Sequence, residues 1–232
     1  MAGHDIEITG PDGTFSGYLS TPSAGTGPGV VVIQEIFGVN AVMRGVADAL
    51  AARGYLALCP DLFWRIKPGI QITDQSKAEW DQAFALFNKF DVATGVRDIQ
   101  TSITQLRHTQ GCTGKVGTLG YCLGGQLAYL SATRTDSDAS VGYYGVNIQT
   151  HLSEATNIKA PLLLHIAGKD QFVPKAAQEQ IAESLTSRPL VTLHTYPEMD
   201  HAFARAGGEH FDKACADLAN GRSQTFLRQH LS

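Results

Sequence analysis

The sequence lacks the features that would tie it to a metal ion, a membrane or a nucleic acid. Its four cysteines include no Cys-x-x-Cys pair and no His-x-x-x-His occurs, so neither a disulfide framework nor a metal site is predicted. No apolar run approaches the roughly 20 residues that a membrane-spanning helix needs. Lysine and arginine are not clustered and the formal net charge is −4, which argues against a nucleic-acid partner.

Two further absences concern cofactors and targeting. No Gly-x-Gly-x-x-Gly fingerprint follows the first long apolar strand, so a dinucleotide is not predicted, and no cofactor of any kind is expected. Residues 1–5 have neither the basic nor the apolar part of a secretory signal, and a cytoplasmic location is expected. Hydrophobic residues make up 43% of the chain and charged residues 17%, which excludes intrinsic disorder. We expect a monomer.

Strand-type and helix-type segments alternate along most of the chain. Residues 5–9 and 14–20 flank a Gly-Pro-Asp-Gly turn and predict a β-hairpin. From there on, the alternation is typical of a mostly parallel, doubly wound sheet flanked by helices, and no repeat or linker divides residues 1–232. The sequence therefore predicts one α/β domain. The predicted strands are 30–33, 55–59, 115–119, 141–144, 161–166 and 191–195, and the predicted helices are 41–53, 77–106 (broken near residue 90), 123–133, 175–186 and 210–229.

A cysteine lies on the most informative turn. Cys122 stands between a predicted strand and a predicted helix, in the pattern Gly-x-Cys-x-Gly. A nucleophile on such a sharp turn adopts a strained backbone, so the residues two before and two after it must be small, as Gly120 and Gly124 are. The start of the helix also favours a thiolate, and the backbone N–H of Leu123 is available to an oxyanion. We interpret Cys122 as a nucleophile rather than a simply buried cysteine.

An acid and a base follow the cysteine in the order that α/β hydrolases use. Asp170 comes just after the strand predicted at 161–166, and His201 after the strand at 191–195. Taken alone, each could be an ordinary loop residue. Because both follow strands whose carboxyl ends carry the site in such folds, Cys122, Asp170 and His201 are predicted to form a catalytic triad.

Two other classes of protein share a cysteine on this turn. Class I glutamine amidotransferases carry a glutamate two places after the histidine, where this chain has Phe203. A non-catalytic or redox-sensing α/β protein would use Cys122 only as a reactive thiol. The acid and the histidine in hydrolase order disfavour that second alternative.

The chain resembles the dienelactone hydrolases, or carboxymethylenebutenolidases, over nearly its whole length. These are small α/β hydrolases with a cysteine nucleophile and no separate cap domain, so the resemblance implies an α/β-hydrolase fold. The blocks that carry it are Gln34-Glu35-Ile36-Phe37-Gly38-Val39-Asn40, Cys59-Pro60-Asp61-Leu62, Gly120-Tyr121-Cys122-Leu123-Gly124-Gly125, Val141-Gly142-Tyr143-Tyr144-Gly145 and His201-Ala202-Phe203-Ala204-Arg205.

The resemblance implies an activity and further site residues. The activity is hydrolysis of a lactone or ester through a thioester intermediate, with dienelactone opened to maleylacetate. The backbone N–H groups of Ile36 and Leu123 would form the oxyanion hole. Glu35 would contact the resting Cys122 and be displaced by substrate, and Arg205 would bind the substrate carboxylate.

One helix departs from the family pattern. In the family, the segment before residue 90 supplies a second carboxylate-binding arginine, a tyrosine and a tryptophan to the pocket. Matching this segment places Trp80, Phe84 and Phe87 at those positions, on one helix face. They are predicted either to line the substrate site or to form ordinary core. If they line the site, broad-specificity hydrolysis of neutral aryl or alkyl esters becomes an alternative to dienelactone hydrolysis.

Overall fold

A computed structural model describes residues 3–232. The first two residues of the predicted domain lie outside this range. The chain divides into two compact units, the first ending at Gly117 and the second comprising Thr118–Ser232. That residues 1–232 form a single domain stays a prediction. Within the described residues, no helix is both long enough and apolar enough to cross a bilayer.

The first unit combines a hairpin with a parallel strand pair. Its elements are β1 (His4–Gly10), β2 (Gly13–Ser20), β3 (Gly27–Ile33), α1 (Ala41–Ala51), β4 (Leu56–Pro60), α2 (Lys77–Lys89) and α3 (Val92–His108). The strand order is β1-β2-β4-β3, with β1–β2 and β2–β4 antiparallel and β3–β4 parallel. Helices α1 and α3 pack against these strands.

The second unit is built on parallel strands. The remaining elements are β5 (Cys112–Tyr121), α4 (Leu123–Arg134), β6 (Ser140–Tyr143), a 3₁₀ segment (Ile148–Asn157), β7 (Leu162–Ala167), α5 (Lys175–Leu185), β8 (Val191–Tyr196) and α6 (Lys213–Leu231). β5 begins before the division between the units, and β5, β6, β7 and β8 follow one another with parallel pairing throughout. Each predicted strand and helix is present within a few residues of its expected bounds. The 3₁₀ segment was not predicted.

Side-chain caps explain where several helices begin. Asn40 accepts hydrogen bonds from the backbone N–H groups of the first turn of α1, and Asp91 does the same for α3. Because Phe90 and Asp91 have extended backbones, the predicted break between α2 and α3 is confirmed. Asp212 caps α6, which therefore begins three residues later than the helix predicted from residue 210.

A buried chain of hydrogen bonds joins α6 to three strands of the second unit. Arg222 donates to the hydroxyl of Tyr196, which contacts Nδ1 of His165 at 2.9 Å. Nε2 of His165 contacts Ser223 at 2.8 Å, and Ser223 contacts Tyr143, whose hydroxyl donates to Asn220. If each hydroxyl donates once, the proton of His165 must lie on Nε2. His165 is fully buried, so it is a core histidine.

The neutral state of His165 predicts a loss of stability in acid. Burial, with the nearby charges of His194 and Arg222, lowers the pKa of His165 to about 3. The unfolded chain therefore binds a proton at this residue between about pH 6.5 and 3 that the folded chain does not bind. The contribution to the free energy of unfolding is up to about 5 kcal/mol above pH 6.5 and is lost as the pH falls toward 3.

Denaturant unfolding at pH 7 and pH 4 tests this expectation. His165→Gln should flatten the decrease in unfolding free energy between the two pH values. His108→Gln changes an exposed histidine of α3, and its unfolding free energy should decrease between pH 7 and pH 4 as much as that of the wild type. Equal pH dependence in all three proteins would contradict a role for His165 in acid sensitivity.

Candidate active site

The turn that carries Cys122 has the backbone expected of a nucleophile. Cys122 joins β5 to α4 with φ of 56° and ψ of −115°, a conformation that non-glycine residues rarely adopt. A Cβ atom on Gly120 would lie 2.1 Å from the carbonyl oxygen of Gly124, so only glycine fits at 120. The Cys122 N–H donates to the carbonyl of Tyr143, which fixes the turn against the end of β6.

The start of α4 presents positive charge close to the cysteine. Leu123 is the first residue of the helix, so its backbone N–H has no intrahelical acceptor. The N-terminal end of a helix dipole stabilises a thiolate or an oxyanion. The backbone N–H of Leu123 is therefore a suitable donor, and its oxyanion role stays a prediction.

The structure brings Asp170 and His201 together on two loops. Asp170 follows β7 and His201 follows β8, as predicted, and both residues are buried. Oδ2 of Asp170 accepts a hydrogen bond from Nδ1 of His201 at 2.8 Å, while Oδ1 accepts one from the backbone N–H of Phe172, also at 2.8 Å. The carboxylate therefore fixes the imidazole so that Nε2 is free to exchange a proton with another group.

Electrostatics link His201 to Cys122. Nε2 of His201 is buried, and no atom of the described residues meets normal hydrogen-bond geometry with it. Burial alone would lower the pKa of His201. The interaction with Cys122 and the hydrogen bond to Asp170 raise this pKa by more than burial lowers it, to about 10. These contacts let His201 hold a proton beside Cys122.

Backbone and side-chain hydrogen bonds tie the two loops to each other. Gly168 donates to the carbonyl of Tyr196, and Lys169 donates to the carbonyl of Met199, both at 2.8 Å. From α5, the buried Gln178 donates to the carbonyls of Val173 and Gly168, which lie on either side of Asp170. The acid is therefore held on a braced loop.

Arg205 lies four residues after His201 in a loop that closes on itself. The backbone N–H of Asp212 donates to the carbonyl of Phe203 at 3.0 Å, which brings the ends of this loop together. Arg205 is buried, a rare setting for a permanently charged side chain without a charged or polar role. Its binding of a substrate carboxylate stays a prediction.

The other predicted residues belong to the first unit. Glu35 and Ile36 are buried in the loop after β3. Gln34 braces this loop, because its side-chain amide donates to the carbonyl of Glu35 and its side-chain oxygen accepts from the N–H of Leu62. The activating role of Glu35 and the oxyanion role of Ile36 stay predictions.

The aromatic face of α2 is not ordinary core. The buried residues of that helix are Ala83 and Leu86, whereas Phe84 is 40% exposed and Trp80 and Phe87 are half-buried. The ring of Trp80 packs edge-on against Phe37, the residue after Ile36, with ring centroids 5.1 Å apart. The structural alternative of a core stripe is therefore wrong, and an open aromatic face adjoins the loop of Glu35 and Ile36.

Two aromatic residues that sequence reasoning did not single out lie against His201. The ring centroid of Tyr144 is 5.0 Å from that of His201, and the centroid of Phe172 is 4.9 Å away on an edge-to-face contact. Tyr144 has φ of 36°, a second strained non-glycine backbone in this region. Tyr144 is the last residue of the strand predicted at 141–144 and stands in one of the blocks that carry the family resemblance, whereas nothing in the sequence marked Phe172.

Comparison with known proteins assigns the chain to a family. The model of the dienelactone hydrolase family matches residues 15–231. The chain belongs to the dienelactone hydrolase family. Among its relatives, a protein of Azospirillum brasilense named after carboxymethylenebutenolidase is 50% identical, covering 98% of this chain and 99% of that one. The carboxymethylenebutenolidase of Pseudomonas putida is 40% identical, covering 98% and 97%.

Membership of the dienelactone hydrolase family settles the class of reaction and the fold. The protein is a hydrolase that acts on lactone or ester bonds. A crystal structure of a Klebsiella pneumoniae subsp. pneumoniae protein named after dienelactone hydrolase superposes with a TM-score of 0.85 at 25% identity, covering 99% of this chain and 100% of that one. The predicted α/β-hydrolase fold is thereby confirmed.

The four cysteines are expected to differ in reactivity toward iodoacetamide. Burial raises the pKa of the Cys59 thiol, and partial burial with the nearby Asp212 raises that of Cys215. Cys122 lies at a helix start beside His201, a base that can accept the thiol proton during attack. At pH 7, peptide mapping should find Cys122 labelled first, in step with loss of activity. First labelling of Cys112 or another cysteine, with activity lost in parallel, would contradict the assignment.

Proposed function

We propose that this hydrolase uses Cys122 as a nucleophile, with His201 as its acid and base and Asp170 as the group that orients His201. The observation that carries the proposal is the His201–Asp170 hydrogen bond of 2.8 Å, in a unit whose strained turn places Cys122 at the start of α4. The raised pKa of His201 supports a histidine that holds a proton at neutral pH and can pass it to the leaving oxygen. The redox alternative does not require a braced acid–histidine pair.

In the first half of the reaction, the Cys122 thiolate attacks the carbonyl carbon of the lactone or ester. The carbonyl oxygen becomes an oxyanion, which the Leu123 N–H can stabilise. When the tetrahedral intermediate collapses, the bond between carbon and the ring or ester oxygen breaks. That oxygen takes the Nε2 proton of His201, and an acyl-thioester remains on Cys122.

In the second half, water removes the acyl group. Neutral His201 accepts a proton from water at Nε2, and the resulting hydroxide equivalent attacks the thioester carbonyl. Collapse of this second intermediate breaks the carbon–sulfur bond and releases a carboxylic acid. The thiolate and imidazolium are restored, so the residues leave the cycle as they entered it.

The site residues favour two substrate classes. Arg205 would bind a carboxylate on a dienelactone-type substrate, the class that the names of the curated relatives indicate. The open face of Trp80, Phe84 and Phe87 instead favours neutral aryl or alkyl esters. Lys77, three residues before Trp80 on the same helix, is exposed and pairs with Asp81 at 2.7 Å.

A substrate screen distinguishes these possibilities. Wild-type protein and Cys122→Ser would be assayed with cis- and trans-dienelactone and with p-nitrophenyl esters of increasing chain length. Lactone opening that Cys122→Ser slows supports the first class, and ester hydrolysis without lactone opening supports the second. If the wild type hydrolyses none of these compounds, the proposed substrates are wrong.

A further inference from the structure

Two aromatic rings pack on the imidazole of His201. Tyr144 is buried, and its backbone N–H donates to the carbonyl of His165 at 2.8 Å, which fixes its position. Phe172 is 39% exposed, whereas His201 is buried, so Phe172 is the contact of the imidazole that reaches solvent. The two ring centroids lie within 5.0 Å of the His201 centroid.

Phe172 acts on both members of the acid–base pair. Its backbone N–H donates to Oδ1 of Asp170 at 2.8 Å, which leaves Oδ2 for His201. Its ring meets the His201 ring edge to face, with an interplanar angle of 74°. One residue thus contacts the carboxylate through its main chain and the imidazole through its side chain.

The exposed position of the Phe172 side chain has a physical consequence for the acid–histidine pair. An aromatic ring packed on the imidazole of a buried acid–histidine pair excludes water that would otherwise compete for Oδ2 and Nδ1. Contacts between aromatic rings also restrict rotation of the imidazole about its side-chain torsions. Small errors in the placement of a catalytic group lower rates strongly.

We propose that Phe172 is a positioning residue, whose ring holds the His201 imidazole against Tyr144 and shields the Asp170–His201 hydrogen bond from water. The inference rests on the proposed function for its effect on turnover. The shielding itself does not depend on any substrate, and it can be measured in the resting protein.

Three variants separate the role of the ring from other effects. Phe172→Ala removes the ring but keeps the backbone N–H to Asp170, and Phe172→Leu restores part of the apolar volume. Phe226→Leu is the matched control, because Phe226 contacts His230 edge to face at 4.6 Å in α6, outside the proposed site. Thermal unfolding of each variant checks that the fold is intact.

The first readout is the downfield proton resonance of the His201 Nδ1–H, assigned by its loss in His201→Gln. In Phe172→Ala this resonance should broaden through faster exchange with water, whereas Phe172→Leu should broaden it less and Phe226→Leu should leave it unchanged. The second readout is turnover, where Phe172→Ala should lower kcat about tenfold with KM within about twofold.

The outcomes separate the two proposals. An unchanged resonance in Phe172→Ala, or an equal change in Phe226→Leu, would overturn the role of Phe172. A broadened resonance without any hydrolysis by the wild type would support the shielding by Phe172 and contradict the proposed function instead. A folded Phe172→Ala with wild-type kcat would show that the ring does not position His201.

Discussion

Replacing Cys122 by alanine is expected to lower kcat/KM by about a thousandfold or more, and replacing His201 by alanine should cost a similar factor. Without the sulfur no thioester can form, and without the imidazole neither the leaving oxygen nor the attacking water exchanges its proton. Because the two residues act in one unit, the double variant should be little worse than either single variant. Initial rates with one substrate across the four proteins measure this directly.

The size of the double-variant effect is the discriminating quantity. If the losses in kcat/KM of the two single variants multiply in the double variant, Cys122 and His201 act independently. The assignment of the triad would then be wrong. Cys215→Ala serves as the matched control, since it removes a partly exposed thiol from α6 and should keep wild-type rates.

The second large effect is expected in substrate preference. If Arg205 binds a carboxylate, Arg205→Ala should raise KM for a carboxylated lactone by one to two orders of magnitude, since a charge-assisted hydrogen bond contributes roughly 1.5–3 kcal/mol. A neutral ester should be almost unaffected. Trp80→Arg should shift preference toward the carboxylated lactone, because it adds a positive charge to the aromatic face of α2.

The measurement is kcat/KM for one charged and one neutral substrate in wild type, Arg205→Ala and Trp80→Arg. Lys77→Ala is a suitable control, because it removes a cation of the same helix that is 87% exposed. Equal effects on both substrates would show that neither Arg205 nor Trp80 recognises the carboxylate.

The order of the elements and the acid–histidine pair were predictable from the sequence. Short apolar runs bounded by glycine-rich turns show where the strands begin and end. The strained turn at Cys122 requires glycine at position 120, because a side chain there would collide with the backbone. Asp170 and His201 follow predicted strands, and parallel strands bring such loops to one edge. Local chemistry was therefore sufficient for these features.

The features that the sequence did not reveal depend on contacts between distant residues. Phe172 resembles any loop phenylalanine until the fold places its ring on His201. The chain of hydrogen bonds through His165 joins residues of β6, β7, β8 and α6, and no local sequence pattern predicts it. The aromatic face of α2 has the spacing of a core stripe, and only burial shows that Ala83 and Leu86 form the buried side instead.

The central claim is that the reaction proceeds through an acyl-thioester on Cys122, and rapid-quench mass spectrometry tests it most directly. Protein mixed with a p-nitrophenyl ester and quenched in acid should gain the mass of one acyl group, located on the peptide that contains Cys122. The Cys122→Ala protein should gain none. Turnover by the wild type with no acyl group on Cys122 at any quench time, or an acyl group on another residue, would contradict the account.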